Sequence, residues 1–397
     1  LRLLAVASTE TDRDRLDRET PPASLKLLGL LGMIDPPRAE VSDAIASCHK
    51  AGIRVVMVTG DNPKTAQAIA SQIGIGDGTV VSGKEVEGSD EAQLDSLLKE
   101  ATVCARIQPV HKLAIVQAYQ RLGRIVAMTG DGVNDAPALD AADIGVAMGI
   151  QGTDVAKGAA DMVLSDDNFA TIVSAVEEGR SIFERLRLTA TFLLTTCFGE
   201  VGTILLAFLF LSTSPLEPLQ ILWINLITGS LLAIPIGMEP KSGDELAVPP
   251  RSKGVGLLFP GMLFRIALLS TALSGGAYAL FTYAFATRPF IEAQTMTFCT
   301  IVLFEWLIAF QMRSDEKQVW HLGILKNRML ILASLISLLL FTSLLYVPIF
   351  QRGFHTTALT LVDWGLCLLP GGAIFLLETV RKALFPRLFS KGKWRKN

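Results

Sequence analysis

The sequence is short of paired cysteines and of net charge. Five cysteines (Cys48, Cys104, Cys197, Cys299 and Cys367) are scattered over 397 residues, and no C-x-x-C pair occurs. That spacing excludes a disulfide framework or a zinc set and reads as small buried hydrophobes. Cys197 stands apart, because it falls in an apolar run beside polar residues. The net charge of -2 gives no basic surplus for nucleic acid, so no nucleic-acid partner is expected. The chain opens on LRLLAVAS, a strand-like run without an initiator methionine or a signal-peptide pattern, as expected of a fragment boundary or a gap in a gene model.

What is present divides unevenly. Up to about Asn168, charges and glycines are spread between short apolar runs. From about Leu188, long apolar blocks alternate with short polar loops. A soluble domain followed by a polytopic membrane domain fits this division. A membrane span needs about 20 mainly apolar residues. Six segments meet this, at 188–211, 219–236, 262–285, 297–312, 329–350 and 358–377. Lys241, Arg251 and Lys253 lie between the second and third spans, and Arg313, Lys317, Lys326 and Arg328 between the fourth and fifth. Arg381, Lys382, Arg387, Lys391, Lys393, Arg395 and Lys396 follow the sixth. The opposite loops hold little more than Arg288 and Arg352. This alternation predicts a multi-pass membrane protein with its soluble part and C-terminus in the cytoplasm.

Polar groups inside the spans need a reason, since an unpaired charge there is costly. The first span holds Thr195, Thr196, Cys197 and Glu200, the second Asn225 and Thr228, and the fourth Glu305 and Gln311. Asn225 and Thr228 share a face if the helix is regular. Hydrogen bonding between helices is one reading, above all for the threonines. An ion path is the sharper one for Glu200 and Glu305, because carboxylates and amide oxygens replace the water of a hard cation.

The soluble half alternates helical and strand patterns. AEVSDAIASCHKAGI reads as a helix, RVVMVTG as a strand and NPKTAQAIASQIGI as a helix. VHKLAIVQAYQRLG is again helical and RIVAMTG a strand, while IGVAMG and ADMVLS are short strand candidates. Glycine-bounded β-rich runs between helices predict a helix-covered parallel sheet, with chemistry at the carboxyl ends of its strands. Two strands end alike, in Thr59-Gly60-Asp61 and Thr129-Gly130-Asp131. The second continues Gly132-Val133-Asn134-Asp135, and two acidic residues four apart in a glycine-rich loop suit Mg²⁺ beside a phosphate. Thr59 has a hydroxyl for phosphoryl oxygens, and Lys112 can neutralise phosphoryl charge. A lone T-G-D is common in turns, but two copies at strand ends are specific.

These blocks resemble the P-type cation-transporting ATPases, most of all their calcium-pump-like subgroup. MIDPPR (33–38), VTGDNPKTAQAIA (58–70), ARIQPVHKLAIV (105–116), MTGDGVNDAPAL (128–139) and the stretch 141–169 carry the resemblance, followed by EEGRSIFERLR, FGEVG, LQILWINLITG and LFEW. The resemblance implies an α/β haloacid-dehalogenase-like phosphorylation domain, incomplete here, followed by a six-helix transmembrane domain. The implied boundaries are 1–34 for a remnant of the nucleotide-binding domain, 35–170 for the phosphorylation domain and 171–187 for a cytoplasmic stalk. Helices five to ten of the family would occupy 188–380, and a basic tail 381–397. It further implies catalytic roles for Thr59, Gly60, Asp61, Lys112, Asn134 and Asp135. Arg38, Arg106, Thr59 and Lys112 would meet ATP, with Arg38 at an interdomain hinge. Mg²⁺ would sit at Asp131 and Asp135, and a transported cation, Ca²⁺ among the candidates, at Glu200, Asn225, Thr228 and Glu305.

The family's phosphorylated aspartate lies in a DKTGT segment, and no DKTGT occurs in these residues. Its strand is expected in the middle of the parallel sheet, so its neighbours should expose faces that are normally buried. The missing N-terminal half of the same pump is thus an expected partner, together with the lipid bilayer. The 397 residues alone are expected neither to fold well nor to hydrolyse ATP. Compared with the calcium pumps, Cys197 replaces an asparagine, and Gly229 replaces an aspartate. One ion, a softer ion or a transport-inactive relative are therefore all open. A membrane-anchored phosphatase of haloacid-dehalogenase type and an inactive ion-binding or regulatory relative are the competing function classes.

Overall fold

The computed structural model describes residues 2–9, 25–33, 36–251 and 256–386. Ile34 and Asp35 of the MIDPPR stretch, Lys253 and the tail from 387 onward lie outside the described residues. The chain divides into two compact units, Leu1–Ala175 and Val176–Asn397.

The first unit opens with β1 (Arg2–Ser8) and β2 (Lys26–Met33), which pair antiparallel from Arg2↔Met33 to Ser8↔Lys26. Leu4, Leu27, Leu28, Leu30 and Leu31 all remain exposed on this ribbon. Two strands alone give apolar side chains no second layer to bury against.

Next come α1 (Ala39–Lys50), β3 (Met57–Val58), α2 (Pro63–Gln72), β4 (Thr79–Ser82), α3 (Gly83–Gly88), α4 (Glu91–Glu100), β5 (Ala101–Ala105) and α5 (Pro109–Arg121). Local signals start these helices. The Asn62 side chain accepts from Lys64 N at 3.1 Å ahead of Pro63, and Ser82/Glu85 and Asp90/Gln93 form capping boxes. The strands form a parallel sheet in the order β3-β5-β4. Helices cover both faces. Val103 and Ala105 of β5 join Ile45, Ala66 and Ala70 in one cluster. Cys104 joins Leu94, Leu98 and Ile115 in another. Burial pushes the Cys104 thiol up to about 12, which leaves it an inert packing residue.

The unit continues with β6 (Ala127–Gly130), α6 (Ala136–Ala141), β7 (Ile144–Met148), α7 (Asp154–Ala159) and β8 (Met162–Leu164). These strands form a second parallel sheet, ordered β6-β7-β8. A single continuous sheet is therefore absent among the described residues. β3 and β6 are both outer strands, and no ladder joins them. The run 54–60, expected as a full strand, keeps only Met57 and Val58 in a ladder, because one side alone is paired. Ile125, just ahead of β6, and Ile144, which opens β7, are 57% and 41% exposed.

The second unit holds six helices long and apolar enough to cross a membrane. The first, α8 (Phe169–Leu211), is unbroken over 43 residues and begins in the first unit. At 1.5 Å per residue it is about 65 Å long, twice what a bilayer core needs. It includes the segment expected as a stalk. The second span is α9 (Pro218–Trp223), a π-helical turn (Ile224–Gly229) and α10 (Ser230–Gly237). There follow α11 (Pro260–Thr287), α12 (Phe290–Gln311), the short α13 (Val319–Leu322), α14 (Arg328–Tyr346), the short α15 (Pro348–Phe354) and α16 (Leu361–Leu384). α14 stops earlier than hydropathy suggests because Pro348 cannot continue it.

α12, weak by hydropathy, is 83% buried over its apolar window, against 28–44% for the others. It is the centre of the bundle, and its threonines satisfy their hydroxyls on their own helix, as Thr297 does on Ala293 O at 2.9 Å. Close approach of α8 and α11 relies on Gly199. A Cβ there would fall 2.3 Å from a Leu273 side-chain carbon, and Ser274 Oγ donates to Gly199 O at 2.9 Å.

Charge is gathered in two buried groups. Arg265 of α11, 2% exposed, donates to Asp315 at 2.5 Å and to Glu378 of α16 at 3.2 Å. Arg187 of α8 also donates to Asp315, and Arg381 to Glu378 at 2.9 Å. Burial alone would raise the Asp315 carboxyl, but Arg187 and Arg265 hold it below the ordinary range. In the second group, Arg313 binds Glu239 at 2.7 Å, and Asn327 bonds Glu239 at 2.7 Å while capping α14.

Breaking such a pair from one side leaves an uncompensated buried charge. Glu378→Gln is expected to cost about 3–5 kcal/mol, read as a lowered unfolding midpoint of the purified membrane protein. An unchanged midpoint would mean that the pair does not secure α11 to α16.

Candidate functional site

In the first unit, the expected site residues collect at the carboxyl ends of parallel strands. Thr59-Gly60-Asp61 follows β3, Arg106 follows β5 and Asp131–Asp135 follows β6. The first two loops are stitched together by backbone bonds. Arg106 N donates to Asp61 O and Ile107 N to Thr59 O, both at 3.0 Å. Arg106 adopts φ 53°, the left-handed region, to make this crossing, and its side chain is exposed. Thr59 Oγ1 accepts from Asp61 N at 3.1 Å, which closes the turn. Gly60 is exposed, and a Cβ on it would meet nothing within 4 Å.

The loop after β6 is built around Asp135, which is 4% exposed. Its Oδ2 accepts from the backbone N–H groups of Asp131 and Gly132, each at 3.3 Å. Its Oδ1 takes the ammonium of Lys112 from the first turns of α5. Gly130 is required by this arrangement, since a Cβ there would fall 2.5 Å from that of Asp135. Asp131 differs. Its side chain is exposed and makes no hydrogen bond or ion pair among the described residues. Asn134 is exposed beside it. Two carboxylates that the spacing treats alike are thus unlike. Asp135 is committed to the loop, and Asp131 is open to a ligand.

Arg38, at the N-cap of α1, donates to Asp167 O at 2.5 Å. Asp167 lies in the 141–169 stretch, with no role assigned to it by its local sequence. Its carboxylate accepts from Gly149 N at 2.6 Å, Ile150 N at 2.9 Å and Gln151 N at 2.8 Å. Those backbone donors, Ile150 foremost, hold its carboxyl below the ordinary range.

In the second unit, three of the polar residues singled out in the spans are joined. Asn225 Nδ2 donates to Glu200 Oε2 at 2.8 Å, and Cys197 Sγ lies 3.6 Å from Asn225 Oδ1. The π-helical turn separates Asn225 from Thr228. Asn225 is exposed and Thr228 is fully buried, so they do not share a face as a regular helix would have them. Glu200 and Glu305 are 3% and 1% exposed. One oxygen of each, and the hydroxyls of Thr195 and Thr228, are buried without a hydrogen-bond partner. Among the described residues no three His, Cys, Asp or Glu side chains are gathered at metal-ligating distance.

Comparison with known proteins places both halves. Residues 213–384 match the family described as cation transporting ATPase, C-terminus, and residues 4–143 match haloacid dehalogenase-like hydrolase. The chain belongs to the P-type cation-transporting ATPases. It is 41% identical over 387 residues to calcium-transporting ATPase 1 of Bacillus cereus, covering 93% of this chain and 44% of that protein. It is 43% identical over 346 residues to a calcium-transporting ATPase of Bacillus subtilis, covering 86% and 39%. It is 40% identical over 342 residues to the human calcium-transporting ATPase type 2C member 1, covering 85% and 37%. The chain thus spans about two fifths of the length of these relatives and corresponds to the C-terminal portion of a P-type ATPase.

P-type ATPases work with Mg²⁺ and ATP. The loop after β6 fits Mg²⁺ through Asp131, a solvent-facing carboxylate that can bind the ion while leaving it several waters. Asp135 already has both oxygens engaged.

Two expectations follow. Asp135→Ala orphans two amide N–H groups and is expected to cost about 1–3 kcal/mol, whereas Asp131→Ala stays within about 0.5 kcal/mol and instead weakens Mg²⁺ binding. Thermal unfolding with and without Mg²⁺ distinguishes them, and equal destabilisation by both would refute the division of labour. Asp167 has a lowered folded pKa, so its contribution to stability is full above the ordinary value of 3.8 and is lost as pH falls through the lowered one. Asp167→Asn should therefore lower the unfolding midpoint at neutral pH, with the gap to the parent closing on acidification; a pH-independent gap would show that the carboxylate's charge is immaterial.

Proposed function

We propose that this chain supplies the phosphoryl-handling loops and the ion path of an ATP-driven cation pump that works through an aspartyl-phosphate. The observation that carries this reading is the set of buried, unpartnered oxygens on Glu200, Thr228 and Glu305 inside membrane-spanning helices. Unsatisfied polar groups in hydrocarbon cost several kcal/mol each. A desolvated cation is the kind of partner that such oxygens would take.

The soluble unit supports the ATP-driven part. The outer edges of β3 and β6 are open, and a strand supplied by the rest of the whole protein would fit between them. Such a strand would bring a nucleophilic aspartate to the end of the sheet that carries Thr59, Lys112 and Asp131. Thr59 and the exposed Gly60 would orient phosphoryl oxygens, and Asp61 would hold the turn. Lys112 would offset phosphoryl charge while keeping Asp135 and the loop in place, with Asn134 beside it. Arg38 and Arg106 would face the nucleotide. Bound at Asp131, Mg²⁺ would neutralise charge on the transferring group. Helix α8, continuous from Phe169 to Leu211, offers the route by which phosphorylation and ion affinity are coupled, which needs two states of different affinity. The basic loops support a cytoplasmic location for the soluble part and the C-terminus.

The intact protein incubated with labelled ATP should form an acid-stable, hydroxylamine-sensitive phosphoprotein whose level depends on a cation. The 397-residue chain alone should not. Lys112→Ala should lower turnover by about 10²–10³-fold. Turnover of small phosphoesters without cation dependence would point instead to a phosphatase, and neither activity to a regulatory membrane protein.

A further inference from the structure

The segment between α12 and α14 has two unlike sides. Its inner side is tied to the bundle. Arg313 Nη1 donates to Gly323 O at 3.1 Å while the same guanidinium holds Glu239 at 2.7 Å. Asn327 Nδ2 donates to Glu239 at 2.7 Å and to Pro235 O at 2.9 Å. The outer side carries Trp320, Ile324 and Leu325, which are 52%, 51% and 75% exposed. Because the backbone is fixed from within at Gly323 and Asn327, these apolar side chains stay on the outside.

The outer apolar surface continues into the next span. Met329, Leu332, Ile336 and Leu339 of α14, spaced three and four apart, are exposed as well, so they form one stripe. On a helix that crosses a bilayer such a stripe meets acyl chains, and a tryptophan at its end sits at the level of the headgroups.

Charge divides the same segment. Between α12 and the first turn of α14 lie four lysines and arginines, Arg313, Lys317, Lys326 and Arg328. Arg313 is matched by Glu239, and Lys317 by Asp244 at 3.2 Å. Lys326 and Arg328 are exposed and have no ion pair among the described residues. No Asp or Glu occurs in the sequence between Glu316 and Asp363, so nothing along this stretch of chain neutralises them. Two unmatched cations beside an apolar stripe suit a phospholipid of net negative charge. Its acyl chains would lie on the α14 stripe, and its phosphate would meet the forked donors of Arg328 and the ammonium of Lys326. A zwitterionic headgroup brings its own cation and has no net charge to offer them.

We propose that the segment from Trp320 to Arg328 is a membrane-surface site for an anionic phospholipid. Trp320, Ile324 and Leu325 are seated among the headgroups, and Lys326 and Arg328 hold the phosphate.

Native mass spectrometry of the intact protein tests this, with the protein stripped of lipid in detergent and titrated with dioleoylphosphatidylglycerol or dioleoylphosphatidylcholine. The parent should bind one phosphatidylglycerol more tightly than any phosphatidylcholine. The double variant Lys326→Gln/Arg328→Gln should weaken that lipid by about tenfold or more, with phosphatidylcholine unmoved. Lys317→Gln, which removes a lysine already paired with Asp244, should leave both unchanged. Comparison of two lipids on one variant separates lost recognition from misfolding. Equal affinity for the two lipids in the parent, or a preference that survives the double variant, would overturn the proposal. In vesicles, brominated phosphatidylglycerol should quench the part of the fluorescence that Trp320→Phe removes. If that part is not quenched, another portion of the protein covers the segment, and the lipid site falls.

Discussion

A parallel strand that is paired on one side only leaves a row of backbone N–H and C=O groups without partners, and β3 and β6 both stand in that position. The organisation of the soluble unit follows from it. The strand sequences are apolar enough for the middle of a sheet, yet Ile125, just ahead of β6, remains exposed. The loops that close these strands carry Thr59, Gly60, Asp61 and Asp131, so the unpaired edges and the chemical groups occupy the same ends of the same strands. Asp135 secures its loop from within, through two amides and Lys112. That leaves Asp131 free to do what Asp135 cannot.

The membrane unit is governed by a related rule, that polar groups away from water must find partners. Arg265, Asp315, Glu378 and Arg187 satisfy it by pairing with one another, as do Arg313, Glu239 and Asn327. Threonines of α12 satisfy it on their own helix. Glu200, Thr228 and Glu305 satisfy it only in part. Buried charges that are matched tie helices together, and the oxygens left over on Glu200 and Glu305 are the ones the proposed ion path would use.

Much of this was legible in the sequence, for identifiable reasons. The T-G-D repeats and the glycine-rich extension to Asp135 are local signals, and local geometry realises them. The six spans are legible because apolar length is a one-dimensional property. Other features were not. Asp167 lies in the 141–169 block, but nothing local marks its role, and only the fold brings three amides and Arg38 to it. The run 54–60 reads as a full strand, but a ladder needs a neighbour, and β5 offers one on a single side. Asn225 and Thr228 look like one face until the π-helical turn rotates them apart.

The sequence by itself determined the class of protein, the order of its elements and which residue types reach the strand ends and the spans, because composition, periodicity and short motifs act over a few neighbouring residues. Only the tertiary structure decided which of two matching aspartates is free, which buried charges are paired, and that the Cys197 thiol, the Asn225 amide and the Glu200 carboxylate meet. Those outcomes depend on contacts between residues 23 to 128 positions apart, and no local pattern encodes what such distant groups will find when the chain closes on itself.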